Sequence, residues 1–284
     1  MKVSAYVPYH NAGSIVAEAV QSILDQTSPV AEVFIVDDGS VDQPINLTAK
    51  IVRMSSHSGR GAARAQAMAE AEHQLVLACD ATLRLDRNFL QSALPWFAEA
   101  KVGATFGWVK DAAPSTVAHR WRARHLFKSD ISKNASRKAD LAAGCFVVRK
   151  SAVEQVGGFN RSLVEGEDFD LGKRLLIAGF DVVFDPALFA YSYAENSVWE
   201  VLERYTRWNT PHGMGVRDYL KQINYALKVM VAADLRARDF LGVCISLLSP
   251  HYQFWRSIVR PAARSLEGSS PRSVAHGDAR PPQT

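Results

Sequence analysis

The chain is poor in cysteine. Its three cysteines, Cys79, Cys145 and Cys244, lie far apart and form no CxxC pair. That excludes a disulfide framework and a cysteine zinc site as organising principles, and a reducing compartment is the simplest home. Nor is there a run approaching the roughly 20 apolar residues of a membrane helix. The best candidate, Phe240 to Leu248, is about half that length and ends at Pro250. The amino terminus, MKVSAYVPYHN, has one lysine and a short apolar run broken by Pro8, without the apolar stretch of a secretory signal. The expectation is a protein made and kept in the cytoplasm. Internal repeats are absent. What is present is ordinary globular usage, 48% apolar and 22% charged over 284 residues. This argues against a disordered or collagen-like chain and allows one large domain or two small ones.

The formal net charge of +4 hides a split. Residues 1–203 hold 21 basic and 24 acidic side chains, whereas residues 204–264 hold 10 basic and 3 acidic. The basic character therefore belongs to a carboxyl-terminal arm. Such an arm can meet phosphates of a lipid surface, a polyanionic acceptor or nucleic acid, or simply be a solvated helix face.

Short apolar runs alternate with helical patterns over the first 100 residues. Strands are expected at Lys2 to Val7 (closed by Pro8), Glu32 to Val36, Ile51 to Met54 and Gln74 to Ala78. Helices are expected at Ser14 to Gln26, Ala62 to Glu72 and Phe89 to Ala100. This is the pattern of a mostly parallel sheet with helices on both faces, in which ligands sit beyond the carboxyl ends of the strands. Those ends carry Pro8-Tyr9-His10-Asn11, Asp37-Asp38 and Asp80. Residues 115–140 read as a basic loop or exposed helix. A strand at Cys145 to Val148, a helix from Asp168 to Ala178 capped by Gly179, and a strand at Asp181 to Phe184 stopped by Pro186 follow. Amphipathic helices begin at Val198, and residues after about 265 are rich in Ser, Pro, Gly and Arg, a disordered composition.

Six motifs occur in order: VPYHNAG at 7–13, SILDQT at 22–27, EVFIVDDGSVD at 32–42, GRGAAR at 59–64, LVLACDATLRLDRNFL at 75–90 and VGGFNRSLVEGEDFDLGKRL at 156–175. Together they resemble glycosyltransferase family 2, the inverting enzymes of the GT-A fold, over roughly residues 3–190. The resemblance implies a Rossmann-like mixed sheet with helices on both faces, and a nucleotide-sugar donor, with a UDP-sugar as the expectation. It implies Asp168 of the Glu167-Asp168 pair as general base. It assigns the nucleotide-sugar to Pro8, Tyr9, Asn11, Asp37, Asp38, Gly59, Arg64, Asp80 and Ala81, with Asp38 on a uracil-type N–H and Arg64 suited to a diphosphate. Taken alone, Asp37-Asp38-Gly39 is also a plain turn, Tyr9 a core aromatic, and Glu167-Asp168 the acidic start of a helix. Arg204-Tyr205-Thr206-Arg207-Trp208 is similar to the (Q/R)xxRW signature of processive members, which implies Arg204 and Arg207 at the diphosphate and Trp208 on the acceptor sugar. An exposed helix with paired arginines is the competing reading.

Two departures fall on metal chemistry. The family's DxD stands here as Asp80-Ala81-Thr82, and a hydroxyl is a poorer ligand than a carboxylate for Mg²⁺ or Mn²⁺. Ala190-Tyr191-Ser192-Tyr193 replaces a run in which many relatives place a histidine. His57 and Ala65 also stand where an asparagine is common. Three explanations stay open: Asp80 alone holds the metal, basic side chains (Arg60, Arg64, Arg204, Arg207) replace it, or the chain binds nucleotide without transfer.

The expected organisation is a catalytic domain at 1–197, a basic amphipathic helical arm at 198–264 and a tail at 265–284. The expected partners are a nucleotide-sugar and a glycan or lipid-linked acceptor in cell-envelope polysaccharide or glycolipid synthesis. Peripheral contact with the cytoplasmic face of a membrane and a homo-oligomer belong to the same reading. Nucleic acid is not an expected partner, because no recognised motif accompanies the basic residues.

Overall fold

The computed structural model describes residues 1–42, 49–128, 134–142, 144–209 and 214–259. The expected tail lies outside the described residues. In chain order the elements are β1 (Val3–Tyr9), α1 (Ile15–Leu24), β2 (Glu32–Asp37), β3 (Lys50–Arg53), α2 (Arg60–Glu70), β4 (Leu75–Cys79), β5 (Leu83–Leu85), α3 (Phe89–Ala93) with a 3₁₀ turn at Leu94–Ala98, β6 (Val102–Asp111) and α4 (Val117–His125). Then come β7 (Cys145–Arg149), α5 (Lys150–Gln155), α6 (Glu167–Ile177), β8 (Asp181–Ser192), α7 (Val198–Asn209), α8 (Val216–Tyr225), a π-helical turn at Ala226–Val231, α9 (Ala232–Arg236) and α10 (Phe240–Val259).

The chain divides into two compact units, Met1–Ala113 with Ser129–Ala194, and Pro114–Lys128 with Glu195–Thr284. The first is an eight-stranded mixed sheet in the order β3-β2-β1-β4-β7-β6-β8-β5. β1 pairs in parallel with β2 and β4, while β7 runs antiparallel to both β4 and β6. Period-two alternation sorts the strand residues onto two apolar faces. Val3, Ala5 and Val7 join Leu77, Val147 and the buried side of α1 (Val16, Ala19, Ile23). Tyr6, Phe34 and Val76 join α2 through Ala63 and Ala67 and α6 through Leu171 and Leu175.

Two strands run through prolines that the sequence reading took as stops. β1 continues through Pro8 to Tyr9, opposite Val36 and Asp37. Its pairing with β4 has ended by Tyr6, so the missing N–H breaks no ladder bond on that side. β8 passes Pro186 because its pairing with β6 shifts register between Phe106↔Phe184 and Trp108↔Phe189, and a bulge tolerates proline. β5, β6 and α5 have no counterpart among the elements expected from the sequence.

The second unit is helical. Its core joins Ala118 and Trp121 of α4 to Val201, Leu202 and Tyr205 of α7, to Ala226 and Met230, and to Ile245 of α10. The basic segment expected at 115–140 is thus a helix with a fully buried tryptophan over Val117–His125. Its interleaved arginines hid this apolar side. Two of them are neutralised within the unit: Arg120 pairs with Asp239 at 3.2 Å, and Arg124 with Asp234 and Asp239. Arg137 and Lys138, which belong to the first unit, pair within it with Glu99 and Asp181.

Candidate active site

The carboxyl ends of β1, β2 and β4 lie side by side because those strands are parallel neighbours. Three acidic positions are therefore brought to one edge by apolar strand runs alone. At the β2 end, Asp37 is fully buried; its Oδ1 accepts from the Ser40 N–H at 2.9 Å, and Arg53 lies 3.4 Å from Oδ2. Asp38 accepts from the N–H groups of Ser58 (2.7 Å) and Gly59 (2.8 Å), with His57 Nδ1 2.9 Å from Oδ2. Asp38 thereby anchors the glycine turn that starts α2. The Gly39 backbone has φ +65°, and a Cβ there would meet the His57 nitrogen at 2.5 Å, so only glycine fits between the two loops.

Tyr9 is buried and donates to Asp42 at 2.6 Å. Burial, then Asp42, pushes its hydroxyl up to about 12. Asn11 clamps the β2 loop from the other side, its N–H donating to Ser40 Oγ and its Oδ1 accepting from Val41. His10 stacks on His57 with ring centroids 3.9 Å apart.

The centre of the site is Arg64. It is the fifth residue of α2, is 1% exposed, and lies over the Phe146 ring. Its Nε donates to Glu167 Oε1 at 2.7 Å, its Nη2 to Asp80 Oδ1 at 2.9 Å and its Nη1 to the Tyr6 hydroxyl at 3.2 Å. One guanidinium thus ties the end of β4 to the start of α6, 103 positions farther along the chain than itself. Burial alone would raise the Glu167 carboxyl, but the charge and hydrogen bond of Arg64 outweigh it and hold the group below its ordinary value. The other oxygen, Glu167 Oε2, is buried and has no hydrogen-bond partner among the described residues. Arg64 faces two carboxylates rather than an open crevice, which makes it a bridge inside the site.

Two glycines make this approach possible. Gly166 is left-handed (φ +79°) and starts α6 at Glu167, so Glu167, Asp168 and Asp170 occupy a first turn that favours negative charge. Asp168 is half-buried, with Oδ1 accepting from the Phe169 N–H at 2.8 Å. Gly61 lies under the 160–164 loop and donates to the Leu163 carbonyl at 2.9 Å. A Cβ there would sit 2.1 Å from the Asn160 carbonyl oxygen. Gly61→Ala is expected to cost about 1–3 kcal/mol, the usual scale of overpacking, and to displace the loop that leads to Glu167. Thermal melting together with nucleotide binding checks this; an unchanged melting point would mean that the loop yields freely.

A divalent metal has limited support from the side chains. Arg64 takes Asp80 Oδ1, and among the described residues no hydrogen bond is formed at Oδ2. Thr82 follows as a half-buried residue and Ser192 closes β8 in a buried position. Among the described residues, the group of three ligating side chains close enough to share an ion is Glu32, Glu72 and His73. It lies at the amino ends of β2 and β4, away from this edge, and Glu32 Oε1 already accepts from Ser4 and from the Glu72 N–H.

The (Q/R)xxRW-like segment falls on α7, in the second unit. Tyr205 and Thr206 point into that unit's core, and Tyr205 meets Trp121 edge-on at 5.3 Å. Arg207 and Trp208 are exposed.

Residues 4–157 match the family model described as Glycosyl transferase family 2. The chain belongs to this family. Among relatives, it is 25% identical over 202 residues to the O-antigen chain rhamnosyltransferase RfbN of Salmonella typhimurium, covering 65% of this chain and 64% of that one. It is 29% identical over 196 residues to the O-antigen chain rhamnosyltransferase WbaN of Salmonella anatum, covering 63% and 62%. The chain spans less than two thirds of the length of the curated relatives it matches. Among solved structures, it is similar to the mannosyltransferase PcManGT from Pyrobaculum calidifontis in complex with GDP-Man and Mn²⁺, with a TM-score of 0.52 at 18% identity over 93% of this chain and 76% of that one. The fold of the family 2 chain is therefore GT-A, a mixed sheet with helices on both faces, joined by carboxyl-terminal helices.

Proposed function

We propose that this family 2 chain is an inverting glycosyltransferase. It moves a sugar from a nucleotide-sugar, a UDP-sugar in the present reading, to a glycan or lipid-linked acceptor of cell-envelope polysaccharide. The observation that carries the reading is the Arg64 bridge, which holds Asp80 and the Glu167-Asp168 turn together at the carboxyl edge of the sheet.

In this reading Asp168 takes the proton of the acceptor hydroxyl as that oxygen attacks the anomeric carbon. The new C–O bond forms as the bond to the diphosphate breaks on the opposite face, so the configuration inverts and a nucleoside diphosphate leaves. Glu167 sets the position of Asp168 through its ion pair with Arg64. Tyr9, Asn11, Asp37 and Asp38 form the nucleoside end, with Pro8, Gly59 and Ala81 supplying backbone. Arg204, Arg207 and Trp208 belong to the acceptor side by resemblance to the processive signature.

A metal fits as a loosely held partner. Asp80 Oδ2 would be its carboxylate ligand, with donor oxygens and water completing the shell, as is usual for Mg²⁺ at phosphates. Bound there, it would neutralise charge on the leaving diphosphate. Thr82 in place of a carboxylate favours a second reading, a chain that binds the nucleotide without transfer.

Calorimetric titration with UDP and with GDP, in Mn²⁺ and again in EDTA, separates these. The expected result is UDP binding that is preferred over GDP and strengthened by Mn²⁺. Metal-indifferent binding would remove Asp80 as a ligand, and equal or absent binding of UDP would remove the uridine assignment of Asp38. Binding with no turnover on any nucleotide-sugar would leave the second reading.

A further inference from the structure

In the second unit, helix α10 has its faces reversed. Its inward side is built from Gly242, Ser246, Ser249, Pro250 and Gln253, with Ile245 as the single large aliphatic residue. That side is a satisfied polar seam: Trp121 Nε1 donates to Ser246 Oγ at 2.8 Å, Ser246 donates to Asp234, and Gln253 donates to Ser249. The outward side carries Phe240, Leu241, Leu247, Leu248, Trp255 and Ile258, each between 38% and 70% exposed. Spacings of seven and three put them on one side of the helix, with the exposed Cys244 and His251 between them. A helix that hides its serines and shows its leucines is covered by something apolar.

α8 and the π-helical turn that follows it supply the charge. Val216, Leu220 and Leu227 are 68%, 58% and 51% exposed, and each is followed directly by a basic residue, Arg217, Lys221 and Lys228, all exposed. Arg236 and Arg238 continue the basic character in the next turn and are exposed as well.

We propose that the second unit docks on an anionic lipid surface. The stripes of α10 and α8 enter the boundary between headgroups and acyl chains, and the basic residues meet lipid phosphates. Charge complementarity favours lipid over a second copy of the chain, whose like-charged flank would repel. Residues 260–284 cannot supply the cover, since Leu266 and Val274 are their only large aliphatic residues and they contain no aromatic one. Among the described residues no helix is long and apolar enough to cross a membrane, so the mode is to lie on the surface. The proposal is independent of the reaction assigned to the first unit.

The test is flotation of the full chain with vesicles of phosphatidylcholine alone and of phosphatidylcholine with phosphatidylglycerol. The expected result is recovery with the anionic vesicles at least about ten-fold above the neutral ones, weakened by salt. The double variant Leu248→Glu/Trp255→Glu is expected to lose that binding by about ten-fold or more while keeping the melting point. Should it fold poorly, Leu247→Ser and the charge variant Arg217→Glu/Lys228→Glu carry the same expectation. Recovery that is independent of anionic lipid, or unaffected in every folded variant, would overturn the proposal. So would light scattering in which the full chain is a dimer that the Leu248→Glu/Trp255→Glu change converts to a monomer, because the stripe would then be a self-association face.

Discussion

Replacing Asp168 by asparagine is expected to reduce turnover by about a thousand-fold, within the usual range for removal of a general base, while UDP binds as before. The amide keeps the shape of the side chain and its place on the first turn of α6, where Oδ1 accepts the Phe169 N–H. What it loses is the capacity to take a proton from the acceptor hydroxyl. Turnover measured beside calorimetric UDP affinity separates this from a structural effect. If turnover survives in Asp168→Asn and is lost in Glu167→Gln, the base is Glu167, and the burial of that side chain against Arg64 acquires a direct chemical purpose. If both turnover and affinity fall together, the substitution has disturbed the turn rather than the chemistry.

The second large effect is on stability. Arg64→Met would leave the buried Glu167 and the half-buried Asp80 without their shared cation. Breaking a buried pair from one side typically costs about 3–5 kcal/mol, which for a domain of this size lowers the melting temperature by roughly 10 °C. The double variant Arg64→Met/Glu167→Gln is expected to recover much of the loss, because the more deeply buried of the two uncompensated charges is then gone. The sign of the pH dependence follows from Glu167. Its folded-state value lies below the ordinary 4.5, so its contribution is present above that value and is lost as the pH falls through the lower folded-state value. Wild type should therefore lose stability in acid over that window, and Arg64→Met should show a flatter profile there. Melting curves from neutral pH down to about 3 check both. A melting point unchanged in Arg64→Met would mean that Asp80 and Glu167 are held by the fold without it.

The second prediction depends on a contact between residues far apart in sequence, and this marks the limit of what the sequence could say. Apolar runs ending in Asp37-Asp38 and in Asp80 were legible as strands with acidic carboxyl ends, because a strand writes its burial into neighbouring residues. The start of α6 was legible in GEDFDLGKRL, since acidic residues gather where the helix dipole favours them. Arg64 was visible as a residue of the site. That its guanidinium turns inward to Glu167 was not, because the choice between a buried carboxylate and an open crevice depends on where the 160–164 loop presses on Gly61. The tryptophan core of α4 was missed for a related reason. Its arginines look like a solvated face until Asp234 and Asp239, more than 100 positions away, are placed against them.

The carboxyl-terminal arm shows the same division. The sequence by itself determined that it is helical, basic and partly apolar, because helical spacing needs only local residues. Helical spacing alone would put Leu220, Leu227 and Met230 on one stripe. Tertiary packing split them, burying Met230 beside Tyr205 and leaving Leu220 and Leu227 exposed. It also carried α10 through Pro250 and turned its serines inward onto Trp121 and Asp234. Which face of a helix meets protein is settled by partners, here a buried aspartate and an indole N–H that require hydrogen bonds and so draw the polar side of α10 to themselves. The sequence thus determined most of the elements, the acidic edge of the sheet and the family. Only the tertiary structure decided which charges are internal braces and which apolar residues are left for another surface to cover.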